Sequence, residues 1–114
     1  MNYKVPQNIQ RIARNAIKYN LSLPMSKRAA YKDEGKKRVQ GTGMNTARKL
    51  VSGTVNDAHA WFARHGESPK EKQARRDKTS KAAIAWALWG GTPARRWVSY
   101  NYKKIKKQEK KNEQ

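Results

Sequence analysis

The residues of this sequence best suited to binding chemistry are its lysines and arginines. Their side chains bind phosphate, and they occur in clusters. The chain of 114 residues has 27 of them against 8 aspartates and glutamates, a formal net charge of +19. This excess attracts polyanions (nucleic acid, an anionic membrane surface or an acidic protein) and exceeds what solubility requires. We expect phosphate contacts, without base reading, from these side chains: Arg11, Arg14, Lys18, Lys36, Lys37, Arg38, Arg75, Arg76, Arg95, Arg96, Lys103, Lys104, Lys106 and Lys107.

Carboxylates and histidines, the usual residues of catalytic and metal sites, are few and scattered. The only histidines, His59 and His65, are six positions apart and so lie on different faces of a helix, and the chain has no cysteine. We therefore predict no catalytic residue, no metal site and no cofactor. A metal-dependent nuclease stays as an alternative if Asp57 converges in the fold with His59, Glu71 or Asp77.

The most apolar stretch runs from Ile84 to Gly91 and predicts the central buried helix. It is apolar on nearly all sides, which indicates that other elements surround it. Thr79 or Ser80 is the expected N-cap, and the Gly90-Gly91 pair is the expected stop. Thr92-Pro93 then predicts the start of a last helix.

The remaining apolar residues predict further helices that pack against this one. Residues 6–19 have an apolar stripe at helical spacing, with arginine and lysine on another face. Met44 to Gly53 predicts a short helix, and Thr54 to His65 a second one, which together would form a helix-turn-helix-like unit. Residues 32–43 are predicted to form a basic loop.

The fold class expected from these elements is all-α, because no stretch has the alternation of a half-buried strand. We predict a small bundle of four to five short helices with a tryptophan-rich core and a basic C-terminal tail. Residues 1–102 would form the single domain, and 103–114 a frayed or disordered lysine-rich tail. The sequence lacks a signal peptide and an apolar run long enough for a bilayer, so we expect a soluble protein that is not secreted and makes no membrane contact. The expected core residues are Trp61, Phe62, Trp86, Trp89 and Trp97.

Several short motifs follow one another in the chain: Gly41-Thr42-Gly43, Ala47-Arg48-Lys49-Leu50, Trp61-Phe62-Ala63-Arg64-His65, Ile84-Ala85-Trp86-Ala87-Leu88-Trp89-Gly90-Gly91 and Arg96-Trp97. In this order they resemble a small module of tailed-phage proteins, over about residues 5–98. The resemblance implies a viral origin, often near head-assembly genes, and no established activity. The chain departs from the module in its longer basic segment before Gly41, in Thr92-Pro93-Ala94 after the glycine pair, and in its lysine-rich end.

Charge and resemblance together predict a non-enzymatic phage protein that contacts nucleic acid, foremost double-stranded DNA, without sequence specificity. Its expected place is in or near the virion head, or in the host cytoplasm. The alternative is a structural virion protein, a capsid-lining or connector component, whose positive surface binds an acidic protein such as a phage head protein. The sequence leaves open the oligomeric state and the choice among DNA, RNA and protein.

Overall fold

Helices make up most of the computed structural model, which describes residues 2–29, 43–47 and 49–112. The described residues contain five α-helices and two short β-strands, so the expected mainly helical fold with a tryptophan-rich cluster is confirmed. None of these helices combines the length and apolar composition needed to cross a membrane. The elements are β1 (Asn2–Lys4), α1 (Gln7–Ser22), a 3-10 helix (Met25–Lys27), β2 (Lys49–Val51), α2 (Ser52–Gly66), α3 (Pro69–Ala74), α4 (Lys81–Leu88) and α5 (Gly91–Asn112).

Helix α1 forms where the apolar spacing predicted it and continues three residues further, to Ser22. Its buried face includes Ile9, Ala13 and Ala16. Asn20, near the end of α1, is fully buried and binds the backbone of Ala29. Its Nδ2 donates to the Ala29 carbonyl at 3.1 Å, and its Oδ1 accepts from the Ala29 amide at 2.9 Å. This pair of hydrogen bonds satisfies a buried polar side chain and fixes the chain beyond α1 against the helix.

The segment from Met44 to Val51 is not the helix that its apolar spacing predicted. In the described part of this segment Met44 lies in a turn, and Lys49–Val51 is strand β2, which pairs antiparallel with β1. Tyr3 stands opposite Leu50 in this small sheet, and both side chains are buried. The predicted helix-turn-helix-like unit is therefore wrong, and α2 begins at Ser52 with Val51 as its N-cap residue instead of Thr54.

The turn between α4 and α5 agrees with its predicted signals. The Ser80 Oγ caps α4 by accepting a hydrogen bond from the Ala83 amide at 3.1 Å. Gly90 and Gly91 adopt positive φ values of 101° and 74°, a conformation that side chains with a Cβ rarely adopt. Helix α5 starts at Gly91 itself, one residue before the predicted cap at Thr92.

The C-terminal residues differ from the expected separate tail, because α5 continues to Asn112 without a break. Ala94, Val98 and Ile105 lie on one side of this helix and are all buried in the main core. Ile105 therefore anchors the lysine-rich turns to the domain, and lysine is a good helix former in solvent. Residues 103–112 are therefore helical in the structure, and the fraying expected for this end stays a prediction.

Candidate nucleic-acid interface

The exposed face of α5 carries the densest group of cations in the described part of the chain. We call it the α5 basic face; all of its side chains are exposed, and the structure describes no ion pair for any of them: Arg96, Lys103, Lys104, Lys107, Lys110 and Lys111. Four of them, Arg96, Lys103, Lys107 and Lys110, are spaced seven, four and three residues apart, so they lie within an arc of about 60° around the helix axis. Fourteen residues of helix separate the first from the last of these four, a rise of about 21 Å.

Tyr100 lies between the two ends of the α5 basic face, and its side chain is 61% exposed. The Lys104 Nζ is 4.5 Å from the centre of the Tyr100 ring, within the range of a cation–π contact. The face therefore combines positive charge, which attracts the phosphates of any nucleic acid, with one exposed aromatic ring that takes part in a cation–π contact.

Helix α1 presents a second, smaller group of cations. Arg11, Arg14 and Lys18 are all exposed, and their spacing of three and four residues aligns them on the side opposite Ile9 and Ala13. The guanidinium of Arg14 donates to the Gln10 Oε1 at 3.4 Å, a long bond that leaves most of its donors free. This face is well arranged for phosphate, although it carries half as many cations as the α5 basic face.

Arg75 and Arg95 were predicted to contact phosphate, and the structure brings both of them to Trp86. The guanidinium of Arg75 lies 4.0 Å from the centre of the Trp86 ring and donates to the His65 carbonyl at 3.0 Å. Arg95 forms an ion pair with Glu67, and this hydrogen bond, together with the charge of Lys72, lowers the pKa of the Glu67 carboxyl. Both arginines thus already have partners within the fold.

The other predicted phosphate contacts fall into three groups. Arg76 is exposed in the turn after α3. Lys106 lies on the flank of α5, where an ion pair of 3.2 Å with Glu109 raises its pKa. Lys36, Lys37 and Arg38 lie outside the described residues. The phosphate contacts of these fourteen cations stay predictions, and the geometry favours the four that lie in the α5 basic face: Arg96, Lys103, Lys104 and Lys107.

His59 and Tyr102 form a stacked pair between α2 and α5. Their ring centres are 3.6 Å apart and the planes differ by 2°. Burial lowers the pKa of His59 below its ordinary value of 6.5, and the nearby positive charge of Lys106 lowers it further. The fold therefore favours the neutral imidazole, and Tyr102 is engaged in packing against it instead of being free to stack on a base.

This lowered pKa predicts that acid destabilises the domain through His59. The unfolded chain binds the His59 proton more tightly than the folded one, so stability is lost as the pH falls through 6.5 towards the lower folded-state pKa. Urea unfolding at about pH 8 and about pH 5 measures this loss. A His59→Phe variant keeps a ring against Tyr102 without the titrating group, and we expect a smaller loss for it; an identical loss in both proteins would contradict the assignment.

A cavity of about 650 Å³ opens between α2, α3 and α4. Three tryptophans contribute to its wall: Trp61 from α2, Trp86 from α4, and Trp89 directly after α4. The rings of Trp61 and Trp89 are stacked at 5.2 Å with planes 20° apart, and both side chains are partly exposed. We call this feature the aromatic cavity; its volume lies in the range of small-molecule sites.

His65 and Glu71 form a polar pair in the wall of the aromatic cavity. The His65 Nδ1 lies 2.7 Å from the Glu71 Oε1, and each side chain is about one-third exposed (37% and 34%). Ser68 positions this pair, because its Oγ accepts from the Glu71 amide and caps α3, which Pro69 begins. Arg64 and Lys81 also line the cavity and are exposed to solvent.

Sequence reasoning named Trp61, Trp86 and Trp89 as core residues and Arg75 as a phosphate contact, but it missed the cavity that they line together with the His65–Glu71 pair. It also missed two cations of the α5 basic face. Lys110 and Lys111 were assigned to a tail, although their spacing from Lys103 and Lys107 continues the same helix face. The pair His65–Glu71 forms across a turn, and its only signal in the sequence was the Ser68-Pro69 helix start.

The chain matches no protein-family model, and no curated protein or solved structure is significantly similar to it. In the described residues no group of three or more His, Cys, Asp or Glu side chains converges on one point. The function is therefore inferred from two separate features of this helical protein, the α5 basic face and the aromatic cavity.

Proposed function

We propose that this protein binds nucleic acid through its phosphates, with the α5 basic face as the principal contact and little discrimination among sequences. The observation that carries the proposal is the row of six exposed cations without ion pairs on one side of a helix. Long, flexible lysines suit contact with a phosphate backbone and carry no base-reading geometry. The cations of α1 and Arg76 would add contacts on a ligand that extends beyond α5.

Charge repulsion within α5 supports the same proposal. The helix has eight lysines and arginines and one glutamate, and several of its lysines are four residues apart, such as Lys103 and Lys107. Like charges at this spacing destabilise a helix by a few tenths of a kcal/mol for each pair. A polyanion along the face would remove this cost and release the counterions that phosphates hold, which is the main driving force of non-specific binding.

We expect binding to duplex DNA to depend steeply on salt and hardly on sequence. If about six phosphates are engaged, the affinity should fall by about a thousandfold between about 50 and about 200 mM salt. Exchanging Lys103, Lys107 and Lys110 for glutamine should reduce the slope of log affinity against log salt by about three, because each lysine accounts for about one counterion. Fluorescence anisotropy with labelled duplexes of unrelated sequence measures both quantities.

A matched control removes the same charge elsewhere. Lys4, Lys27 and Lys49 are exposed in β1, the 3-10 helix and β2, so their triple glutamine variant has the same net charge as the α5 variant. We expect it to bind nearly as the parent does. Equal losses in both variants would show that charge acts diffusely and not through α5, and a salt-insensitive complex would overturn the proposed function.

The resemblance to a tailed-phage module supports a further part of this proposal, namely that the nucleic acid is packaged phage DNA in or near the virion head. The alternative partner is an acidic head or connector protein, which the same basic face would attract. A stoichiometric complex with such a protein that survives nuclease treatment, combined with weak DNA binding at moderate salt, would favour the alternative.

A further inference from the structure

The aromatic cavity has no role in phosphate binding by α5, and its composition indicates a ligand with both a flat ring and negative charge. Trp61 and Trp89 supply partly exposed indole rings. Three cationic side chains line the same cavity, Arg64, Arg75 and Lys81, against the single carboxylate of Glu71. Aromatic rings and cations at one site are the arrangement by which proteins hold the bases and the backbone of a single strand.

The polar wall of the cavity fits the edge of a base. Glu71 keeps its orientation because His65 Nδ1 holds one of its oxygens at 2.7 Å and Ser68 caps the helix that carries it. A carboxylate accepts hydrogen bonds from an exocyclic amino group such as N4 of cytosine. Arg75 is fixed on the Trp86 ring and the His65 carbonyl, whereas Arg64 and Lys81 are exposed and free to reach a phosphate.

We propose that the aromatic cavity receives one unpaired base of a single-stranded nucleic acid, with the ring against Trp61 or Trp89 and the adjoining phosphate near Arg64 and Lys81. This inference rests on the proposed function, since the α5 basic face supplies the phosphate contacts that hold the strand. A base inside a duplex is stacked and paired, so only an unpaired or extruded base can enter a cavity. The protein thus distinguishes unpaired from paired nucleic acid by a second site.

The test compares two single strands that differ only in their bases. One probe is labelled oligo(dC) of about ten nucleotides, a length in the range of single-strand sites, and the other is an abasic strand of the same length and charge. We expect the parent protein to bind oligo(dC) about tenfold more tightly, from the stacking of one base. Equal affinity for both strands would overturn the inference.

Two matched variants locate the effect. Trp89→Leu keeps an apolar side chain but removes the indole, and we expect it to lose the preference for oligo(dC) while its affinity for duplex DNA is unchanged. Tyr19→Leu removes an exposed ring outside both the cavity and the α5 basic face and should keep the preference. A preference that persists in Trp89→Leu would overturn the assignment to this cavity.

The same titrations separate this inference from the proposed function. The triple glutamine variant of α5 should weaken the binding of oligo(dC), the abasic strand and the duplex alike, and keep the preference for bases. If the parent binds duplex DNA with a steep salt dependence but shows no preference for bases, only the cavity assignment fails. If it binds none of the three probes, both proposals are wrong.

Discussion

Replacing Trp86 by alanine should lower the free energy of unfolding by about 3 to 5 kcal/mol. The ring is 9% exposed, its centre lies 5.0 Å from that of Phe62 in an edge-to-face contact, and Arg75 packs on it at 4.0 Å. Its Nε1 also donates to the Thr92 Oγ1 at 3.3 Å, so the indole joins α4 to α5. Urea unfolding followed by circular dichroism measures the loss.

The matched control for Trp86 is Tyr100, an aromatic residue that is 61% exposed on α5. We expect Tyr100→Ala to change the free energy of unfolding by less than about 0.5 kcal/mol, because exposed side chains contribute little. A Trp86→Ala protein that unfolds at the same urea concentration as the parent would show that the core does not depend on this ring.

Replacing Gly90 by alanine is expected to have a comparably large effect, for a different reason. The residue has a φ of 101°, and a Cβ there would lie 2.6 Å from both the Ala94 Cβ and the Ile9 Cγ2. Neither neighbour is the end of a long flexible side chain, so α1 or α5 must move. We expect a loss of about 3 kcal/mol or more from backbone strain and overpacking together, measured by the same urea titration.

Gly53 provides the comparison for Gly90. It lies in α2, and a Cβ there would have no neighbouring atom within 4 Å. Gly53→Ala should therefore be neutral or raise stability by up to about 1 kcal/mol, because alanine is the better helix former. Equal stability of the two alanine variants would contradict the close approach of α1 to the turn between α4 and α5.

The elements predicted correctly from the sequence are those with local signals. Helix α1 follows from apolar residues at helical spacing, and α4 from the Ser80 cap and the Gly90-Gly91 stop. The common exposed face of Arg11, Arg14 and Lys18 follows from spacing alone.

The features that sequence reasoning missed depend on contacts between distant residues. Strand β2 forms because Leu50 pairs with Tyr3, far away in the chain, and three-residue strands are too short to show alternation. Met44 and Leu50 are both buried, so their apolar character was interpreted correctly but their secondary structure was not. The aromatic cavity likewise needs α2, α3 and α4 in their final positions, and no single segment contains its pattern.

In the last turns of α5, anion binding and helix formation depend on each other. Among the side chains of this helix that the structure describes, Ile105 is the last buried one, and those of residues 106–111 are all exposed. These turns are held by their own backbone hydrogen bonds against lysine repulsion, so their helix–coil equilibrium is close to balance. By thermodynamic linkage, an anion that favours the helical form must also bind more tightly to a chain whose helix is already formed. Ionic conditions would therefore set the length of α5 together with its affinity.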